Sequence, residues 1–163
     1  MKNNKLQLKL LPRLIVYDFD GVMTNNTLII DQNGYESVIV NRSDGMAISL
    51  IRKLGINQII LSTETNSVVQ KRAEKLRLFC LHGIEDKLST LRNYLSETNI
   101  NPNEVIYVGN DLNDLEAMKY VGIAVAPNNA YKEIKDIANI ITKAKGGEGV
   151  IRELFEIIKS MNK

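Results

Sequence analysis

The sequence predicts an α/β protein built on a doubly wound parallel sheet with helices on both faces. Short apolar runs alternate along the chain with segments whose apolar residues repeat at helical spacing, a pattern typical of parallel sheets. The runs lack the strict apolar–polar alternation of a half-exposed strand, so they predict strands buried on both faces. The chain has 163 residues, the length of one domain, and contains no Pro- or Gly-rich linker, repeat or low-complexity tract. We therefore expect a single domain over residues 1–163.

Six strands and five helices are predicted along the chain. The clearest strands span 14–17, 58–61 and 105–108, and weaker candidates span 78–81, 123–126 and 139–141. The helices span 45–54, 68–76, 87–98, 112–121 and 149–161. The first helix follows the N-cap pair Ser43-Asp44 and stops at Gly55, and the last carries an apolar stripe at helical spacing. The basic segment 1–12 lacks the apolar region of a signal peptide and predicts a short solvated arm.

One segment interrupts this alternation directly after the first strand. Runs with a preference for β-structure at 27–30 and 37–40 flank a polar tetrapeptide that ends in Asn33-Gly34. Asn-Gly between two such runs is a strong signal for a tight turn. We therefore expect a β-hairpin over 27–40.

Charge and composition exclude several classes of protein. The chain has 21 basic and 19 acidic residues, a net charge of +2, which is too balanced for a nucleic-acid or membrane-surface binder. Cys80 is the only cysteine and His82 the only histidine, which excludes a disulfide framework and a zinc site built on such residues. No apolar run approaches the roughly 18 residues that a membrane helix requires. The combination fits a reducing cytoplasm, and we expect no nucleic-acid or membrane partner.

Polar side chains follow three of the predicted strands. Asp18 and Asp20 follow the first strand, Ser62 follows the second, and the run 109–114 follows the strand at 105–108. In doubly wound sheets, ligands bind beyond the carboxyl ends of the strands. Carboxylates on one rim repel one another unless a cation neutralises them, and oxygen ligands without histidine or cysteine suit Mg²⁺. The Asp18-x-Asp20 spacing lets one side chain and the main chain two residues later face the same ion.

This set of residues predicts phosphoryl transfer. A nucleophilic carboxylate can attack phosphorus to form an aspartyl-phosphate, and the second carboxyl group of the Asp18/Asp20 pair can protonate the leaving alcohol and then activate water. Ser62 and Lys87 would hold the phosphoryl oxygens and offset the charge that moves during transfer. Each residue alone also fits a structural role, such as a helix cap for Ser62 or a solvated helix start for Lys87. Their occurrence together, in order at three strand ends, favours the catalytic interpretation.

These residues resemble the haloacid dehalogenase (HAD) superfamily of phosphotransferases over nearly the whole chain. Residues 18–24, with the sequence DFDGVMT, resemble the first motif of the superfamily, DxDGVxT. Ser62 and Lys87 match the Ser/Thr of the second motif and the lysine of the third, and residues 109–114 resemble the acidic fourth motif. The resemblance implies the HAD-like Rossmannoid form of the sheet. The catalytic residues that it implies are Asp18, Asp20, Ser62 and Lys87.

Within that superfamily, the chain is similar to the small capless group that includes 3-deoxy-octulosonate (Kdo) 8-phosphate phosphatase and N-acylneuraminate 9-phosphatase. The hairpin at 27–40 replaces a cap domain, and the sequence RSDG at 42–45 opens the helix after it. Residues 146–153, GGEGVIRE, resemble the GGxGxxRE turn of that group, which leads into the helix ending at 161. The resemblance implies Mg²⁺ as cofactor and a homotetramer. In such a tetramer, neighbouring subunits complete each active site and the hairpins pack at the centre.

The residues after Ser62 bear on the choice of substrate. Kdo 8-phosphate phosphatases usually have Gly-Arg there, whereas this chain has Thr63-Glu64. A glutamate at this place, with Arg72 and Lys75 on the next helix, resembles the enzymes that act on nine-carbon sialic-acid 9-phosphates (N-acylneuraminate or its deaminated relative, Kdn). Glu64 can accept hydrogen bonds from sugar hydroxyls or an amide. Arg72 and Lys75 can bind the carboxylate of the sugar acid.

We therefore expect a phosphatase acting on a nonulosonic acid 9-phosphate, with Kdo 8-phosphate as the alternative substrate. Arg72 and Lys75 also fit an exposed helix face with ordinary charges. The expected substrate-binding residues are Thr24, Thr63, Glu64, Arg72 and Lys75.

The fourth motif departs from the pattern of the group at one position. The residue after Gly109 is normally a metal-binding aspartate, but here it is Asn110, with Asp111 next. Either the amide oxygen of Asn110 ligates the ion or Asp111 takes over, and Asp114 supports the ion or Lys87. The expected metal ligands are Asp18, Asp20, Asn110, Asp111 and Asp114.

Two interpretations without turnover compete with the phosphatase. Non-catalytic domains that only assemble a tetramer occur in this family fused to sialic-acid cytidylyltransferases, but the intact set of catalytic residues argues against a decayed site. A phosphoacceptor switch of the response-regulator kind also uses an aspartate and Mg²⁺, but such domains lack a second aspartate two residues later.

Overall fold

The structure is a computed structural model that describes residues 11–161, so the arm expected at 1–12 lies almost entirely outside the described residues. The strands are β1 (Leu14–Tyr17), β2 (Ile29–Ile30), β3 (Glu36–Ser37), β4 (Asn57–Leu61), β5 (Phe79–Leu81), β6 (Val105–Val108), β7 (Ile123–Ala126) and β8 (Ile140–Ile141). The helices are α1 (Arg42–Lys53), α2 (Ser67–Leu76), α3 (Lys87–Thr98), α4 (Leu115–Tyr120), α5 (Lys132–Ile137) and α6 (Val150–Met161). Single turns of 3-10 helix lie at Pro102–Glu104 and Leu112–Asp114. None of the helices within 11–161 is long and apolar enough to cross a membrane.

Six strands form one parallel sheet in the order β5-β4-β1-β6-β7-β8. The central strand β1 pairs with β4 on one side and β6 on the other, and Tyr17 at its end aligns with Ile60 and Val108. The chain runs outward from β1 to β4 and β5, and then returns to β6 on the other side of β1. Such a reversal opens a crevice at the carboxyl ends of the central strands. The predicted doubly wound parallel sheet is confirmed.

The sheet is buried on both faces, as the apolar runs predicted. All four residues of β1 are inaccessible to solvent, with Ile15 and Tyr17 facing one core and Leu14 and Val16 facing the other. The first core contains the apolar faces of α1, α2 and α6, and the second contains those of α3, α4 and α5. This packing holds the ends of β1, β4 and β6 in a fixed arrangement.

The predicted hairpin is present but its strands are short. β2 and β3 are antiparallel, and a bridge between Thr24 and Val40 closes its base. The main-chain N–H of Asp31 donates to the carbonyl of Tyr35 at 3.1 Å, and Gly34 has a φ of +81°. The turn is therefore a three-residue loop with glycine in the left-handed region, where a side chain would be strained.

Three helical segments differ from the sequence-based expectation. α1 begins at Arg42 rather than Gly45, because the side chain of Asn41 accepts a hydrogen bond from the N–H of Ser43 at 2.8 Å and caps the helix there. The helix expected at 112–121 divides into a 3-10 turn and α4. α5 was not predicted, because it has only six residues and no side-chain cap.

Candidate active site

A cleft of about 180 Å³ lies at the carboxyl ends of β1, β4 and β6. The structure brings together here most of the polar residues that were expected at the three strand ends. Lys87 and Asp114 lie beneath the cleft, where they contact its wall rather than line it. The lining residues are Asp18, Asp20, Asn26, Ser62, Thr63, Asn110, Asp111 and Asn113.

A buried ammonium group joins two of the carboxylates. The Nζ atom of Lys87 lies 2.8 Å from Oδ1 of Asp18 and 2.7 Å from Oδ1 of Asp114, and Lys87 is only 2% exposed. Burial alone lowers the pKa of this lysine, but the two carboxylates outweigh that effect and raise the pKa above its usual value. Lys87 is therefore a permanent positive charge in contact with Asp18.

Asp114 is fully occupied by donors from the protein. Its Oδ1 accepts hydrogen bonds from Lys87 and from the hydroxyl of Tyr107 at 2.9 Å. Its Oδ2 accepts from the main-chain N–H groups of Asn110 at 2.9 Å and Asp111 at 3.3 Å. Because Asp114 is inaccessible to solvent and absent from the cleft lining, the geometry favours support of Lys87 over the expected metal ligation.

Asp18 combines an engaged oxygen with an oxygen that faces the cleft. Its Oδ1 accepts a hydrogen bond from the N–H of Phe19 at 2.7 Å in addition to the contact with Lys87. Burial raises the pKa of Asp18, the charge of Asp114 raises it further, and Lys87 opposes both effects. A cation beside Oδ2 would act in the same direction as Lys87 and favour the ionised carboxylate.

The Asn110 amide and the main-chain carbonyl of Asp20 converge next to Oδ2 of Asp18. One terminal atom of the Asn110 amide lies 2.7 Å from the main-chain carbonyl oxygen of Asp20 and 3.3 Å from Oδ2 of Asp18. Carboxylate, carbonyl and amide oxygens are hard ligands, so the donor set fits Mg²⁺. Within residues 11–161, no cluster of three His, Cys, Asp or Glu side chains could hold a metal. A cation here would therefore depend on the amide and the main-chain oxygen.

Asp111 has a different environment from Asn110. Its Oδ1 accepts a hydrogen bond from the N–H of Leu112 at 2.7 Å and caps the 3-10 turn that follows. Asn110 is thus the residue of the fourth motif that contacts both Asp18 and Asp20. Of the two ligands left open by the sequence, the geometry favours Asn110.

Asp20 is positioned by Thr24 from below. The Thr24 hydroxyl donates to Oδ1 of Asp20 at 3.0 Å and accepts from the N–H groups of Gly21 and Asn26. Burial raises the pKa of Asp20, Thr24 lowers it, and the charge of Glu64 raises it. A carboxyl group with a raised pKa suits a general acid. Thr24 was expected to bind substrate, but its side chain is fully buried and its hydroxyl contacts Asp20.

The end of β4 supplies the opposite wall of the cleft. The Ser62 hydroxyl accepts a hydrogen bond from the N–H of Glu64 at 3.1 Å, and Oγ1 of Thr63 accepts from the Asn113 amide at 3.2 Å. The carboxylate of Glu64 accepts from the N–H of Asn66 at 2.6 Å and lies near enough to Asp20 to raise its pKa. Ser62 and Thr63 therefore face the cleft, and Glu64 lies at its edge.

Arg72 and Lys75 are not in this cleft. They line a separate groove of about 580 Å³ between α1 and α2, together with Arg42, Arg52 and Arg77. The guanidinium of Arg72 donates to the main-chain carbonyl of Asn41 at 3.1 Å. The structure therefore does not bring these two expected substrate-binding residues to Asp18 of the same chain.

Sequence reasoning missed two residues that line the cleft. Asn26 lies two residues after the first motif, which ends at Thr24, and has a φ of +65°, which is unusual for a residue other than glycine. Asn113 lies inside the fourth motif, between Asp111 and Asp114, which were expected metal ligands. The signal for both was their place in a loop that follows a strand of the central sheet.

Comparison with known proteins agrees with this geometry. A family model described as haloacid dehalogenase-like hydrolase matches residues 61–154. The 3-deoxy-D-manno-octulosonate 8-phosphate phosphatase of Yersinia pestis is 31% identical over 147 residues, which are 90% of this chain and 79% of that protein. A HAD family hydrolase structure from Streptomyces avermitilis is 42% identical, with a TM-score of 0.86 over 94% of this chain and 89% of the other.

A further solved structure carries ligands. The 3-deoxy-D-manno-octulosonate 8-phosphate phosphatase of Moraxella catarrhalis, in complex with a magnesium ion, a phosphate ion and a KDO molecule, is 26% identical. Its TM-score is 0.88, and the match covers 92% of this chain and 87% of the other. The likeness thus extends over nearly all of both chains in sequence and in fold. The chain belongs to the haloacid dehalogenase-like hydrolases, as a phosphatase of the capless type that includes the Kdo 8-phosphate phosphatases.

Proposed function

We propose that the protein is a Mg²⁺-dependent phosphatase of a 3-deoxy-2-keto sugar acid, with Kdo 8-phosphate as its substrate. The observation that carries the proposal is the contact of Asp18 with Lys87 on one side and with the oxygens of Asp20 and Asn110 on the other. The relatives named above support the substrate, since two of them are Kdo 8-phosphate phosphatases.

The chain's own residues account for both steps of hydrolysis. The Asp18 carboxylate attacks phosphorus, the bond from phosphorus to the sugar oxygen breaks, and the leaving oxygen takes a proton from Asp20. Asp20 then accepts a proton from water as the water oxygen attacks the aspartyl-phosphate, which releases inorganic phosphate and restores Asp18. The Ser62 hydroxyl holds a phosphoryl oxygen, and Lys87, in contact with Asp18 from beneath the cleft, offsets the charge that develops. Mg²⁺, held by Asp18, the carbonyl of Asp20 and Asn110, would neutralise charge on the phosphoryl group.

A nonulosonic acid 9-phosphate is the second candidate substrate. Glu64 supports it, because this carboxylate stands at the edge of the cleft where the sugar would lie, close to Asp20. The two Kdo 8-phosphate phosphatases named above do not support it, since they are named for the eight-carbon acid phosphate. Arg72 and Lys75 support it only if their groove meets the cleft of another chain.

A homotetramer is part of the proposal. The hairpin exposes large apolar side chains, of which Ile30 is 61% and Tyr35 74% exposed. An exposed apolar patch of this kind is typical of an interface between proteins. In an assembly through the hairpins, the basic groove between α1 and α2 of one subunit could complete the cleft of its neighbour and bind the sugar carboxylate there. The hairpin also lies near the cleft in its own chain, because Glu36 accepts a hydrogen bond from the Asn66 amide at 2.9 Å and its charge raises the pKa of Asp20.

The test is phosphate release by the full chain with Mg²⁺, measured as kcat/KM for Kdo 8-phosphate, N-acetylneuraminate 9-phosphate and Kdn 9-phosphate. We expect the highest value for Kdo 8-phosphate and loss of activity in Asp18→Asn. Asp136→Asn, the same exchange on the exposed face of α5, is the matched control. Preference for a nine-carbon substrate would replace the proposed substrate and retain the mechanism. No release from any of the three would refute the proposed function.

A further inference from the structure

The contact between Asn110 and its neighbours has two possible chemistries. The terminal amide atom that lies 2.7 Å from the Asp20 carbonyl oxygen also lies 3.3 Å from Oδ2 of Asp18. The Asp20 carbonyl and the ionised form of the Asp18 carboxylate accept hydrogen bonds and donate none. If the terminal atom is oxygen, three acceptors face one another and require a cation between them. If it is nitrogen, its two hydrogens satisfy both neighbours without a cation.

Hydrogen bonds hold the main chain of Asn110 in place, so a rearrangement at this residue is a rotation of its side-chain amide. The main-chain N–H donates to Asp114 at 2.9 Å and the main-chain carbonyl accepts from Tyr131 at 3.0 Å, so the backbone is held on both sides. The residue is 5% exposed. The other terminal atom of the amide packs against Gly21, where an added Cβ would overlap it. Rotation about the Cβ–Cγ bond exchanges the two terminal atoms without any movement of the backbone.

We propose that Asn110 completes the site both with and without metal, an inference that rests on the proposed metal-dependent function. In the metal-free protein, the NH₂ group donates to the Asp20 carbonyl and to Oδ2 of Asp18 and takes the place of the cation. On metal binding, the amide turns by half a rotation and its oxygen becomes a ligand. A carboxylate cannot do this, because it has no donor to offer in the metal-free state.

Two properties of the protein follow. The metal-free site is satisfied, so the fold does not depend on the metal to separate charges at the end of β1. The affinity of the site for Mg²⁺ is lower than with a carboxylate at this position, because the metal displaces two hydrogen bonds and gains a neutral ligand instead of a charged one. A carboxylate at this position would have the opposite properties.

The test compares Asn110→Asp with Asn113→Asp, the same exchange in the lining of the same cleft. Metal-free Tm is measured by calorimetry in a chelator, and Mg²⁺ affinity by isothermal titration. For Asn110→Asp we expect a metal-free Tm lower by about 5 °C and Mg²⁺ binding tighter by about tenfold or more, since ligand charge tunes affinity. For Asn113→Asp we expect smaller changes in both. An unchanged metal-free Tm for Asn110→Asp, or Mg²⁺ binding no tighter than in Asn113→Asp, would overturn the proposal.

A second measurement on the unaltered chain applies even if Asn110→Asp folds only with metal. The side-chain NH₂ resonances of Asn110 are assigned by their loss in Asn110→Asp with Mg²⁺ bound, and are followed into the chelated protein by titration of the metal. We expect slow exchange of these protons with water in the chelated protein and faster exchange after Mg²⁺ is added. Equal exchange in both states would overturn the proposal. Neither readout involves a substrate, so a protein with this metal response and no phosphate release would refute the proposed function alone.

Discussion

Asp44 couples the stability of the fold to pH. This side chain lies in the first turn of α1, is 2% exposed, and accepts a hydrogen bond on Oδ1 from the N–H of Arg152 at 2.9 Å. Its Oδ2 is buried and has no hydrogen-bond partner among the described residues. Burial raises the pKa of Asp44 from 3.8 to about 6, although the N–H groups of α6 and the charge of Arg72 act to lower it.

The size of the effect follows from that shift. Because the folded protein binds this proton more tightly than the unfolded chain does, the stabilisation is fully present below about pH 4 and is lost as the pH rises through about 6. A shift of about two pKa units corresponds to about 3 kcal/mol of unfolding free energy. Asp44→Asn removes the charge and keeps the oxygen that accepts from Arg152. We expect this variant to match the unaltered protein at about pH 4 and to be more stable by about 3 kcal/mol at about pH 7.

Urea unfolding followed by circular dichroism, at one protein concentration across this pH range, measures the difference. The difference between the two proteins isolates Asp44, because all other titrating groups are shared. Asp136→Asn on the exposed face of α5 controls for the general loss of one negative charge. The expected result is a difference in the free energy of unfolding between Asp44→Asn and the unaltered protein that grows with pH. A difference that stays constant with pH, or that favours the unaltered protein at neutral pH, would show that burial does not raise the pKa of Asp44.

Three further predictions concern the buried ion pairs and the assembly. Asp114→Asn removes one of the two carboxylates that contact Lys87 and turns an amide nitrogen toward groups that donate hydrogen bonds. We therefore expect the free energy of unfolding to fall by about 3–5 kcal/mol and the Tm to fall by about 10 °C, as measured by calorimetry. Tyr107→Phe removes one hydrogen bond to Asp114 and should lower the free energy of unfolding by about 1 kcal/mol. Equal decreases in the two variants would contradict the role given to Asp114. Ile30→Asp should reduce the mass measured by light scattering, and an unchanged mass would argue against the hairpin interface. Co-expressed Asp18→Asn and Arg72→Ala chains should together release phosphate, although neither variant does so alone. If they do not, the groove between α1 and α2 does not contribute to the cleft of the neighbouring subunit.

The parts of the fold that were predicted are those in which local pattern and tertiary environment agree. β1 and β6 have the predicted bounds because their apolar runs end at the polar residues of the cleft. α5 was missed because its six residues carry no capping signal, and burial of Ile134 against the sheet decides its conformation. The hairpin strands shortened to two residues each, and the apolar side chains of Ile29 and Ile30 have no cover within the described chain.

The candidate site divides in the same way. Sequence patterns could identify four site residues because each lies within three residues of the end of a central strand: Asp18, Asp20, Ser62 and Asn110. The contacts that the neighbouring side chains make could not be predicted from the sequence. Thr24 was assigned to substrate, but its hydroxyl faces Asp20. The place of Arg72 in another groove depends on how α1 and α2 pack, which no motif records.

The proposed mechanism requires Asp18 to carry the phosphoryl group during turnover. The most direct test is an acid quench of single-turnover hydrolysis of Kdo 8-phosphate labelled on phosphorus, at times before the first turnover is complete. We expect label on the peptide that contains Asp18, and no label and no phosphate release in Asp18→Asn. Phosphate release by Asp18→Asn at the rate of the unaltered chain, or label on a different residue, would contradict it.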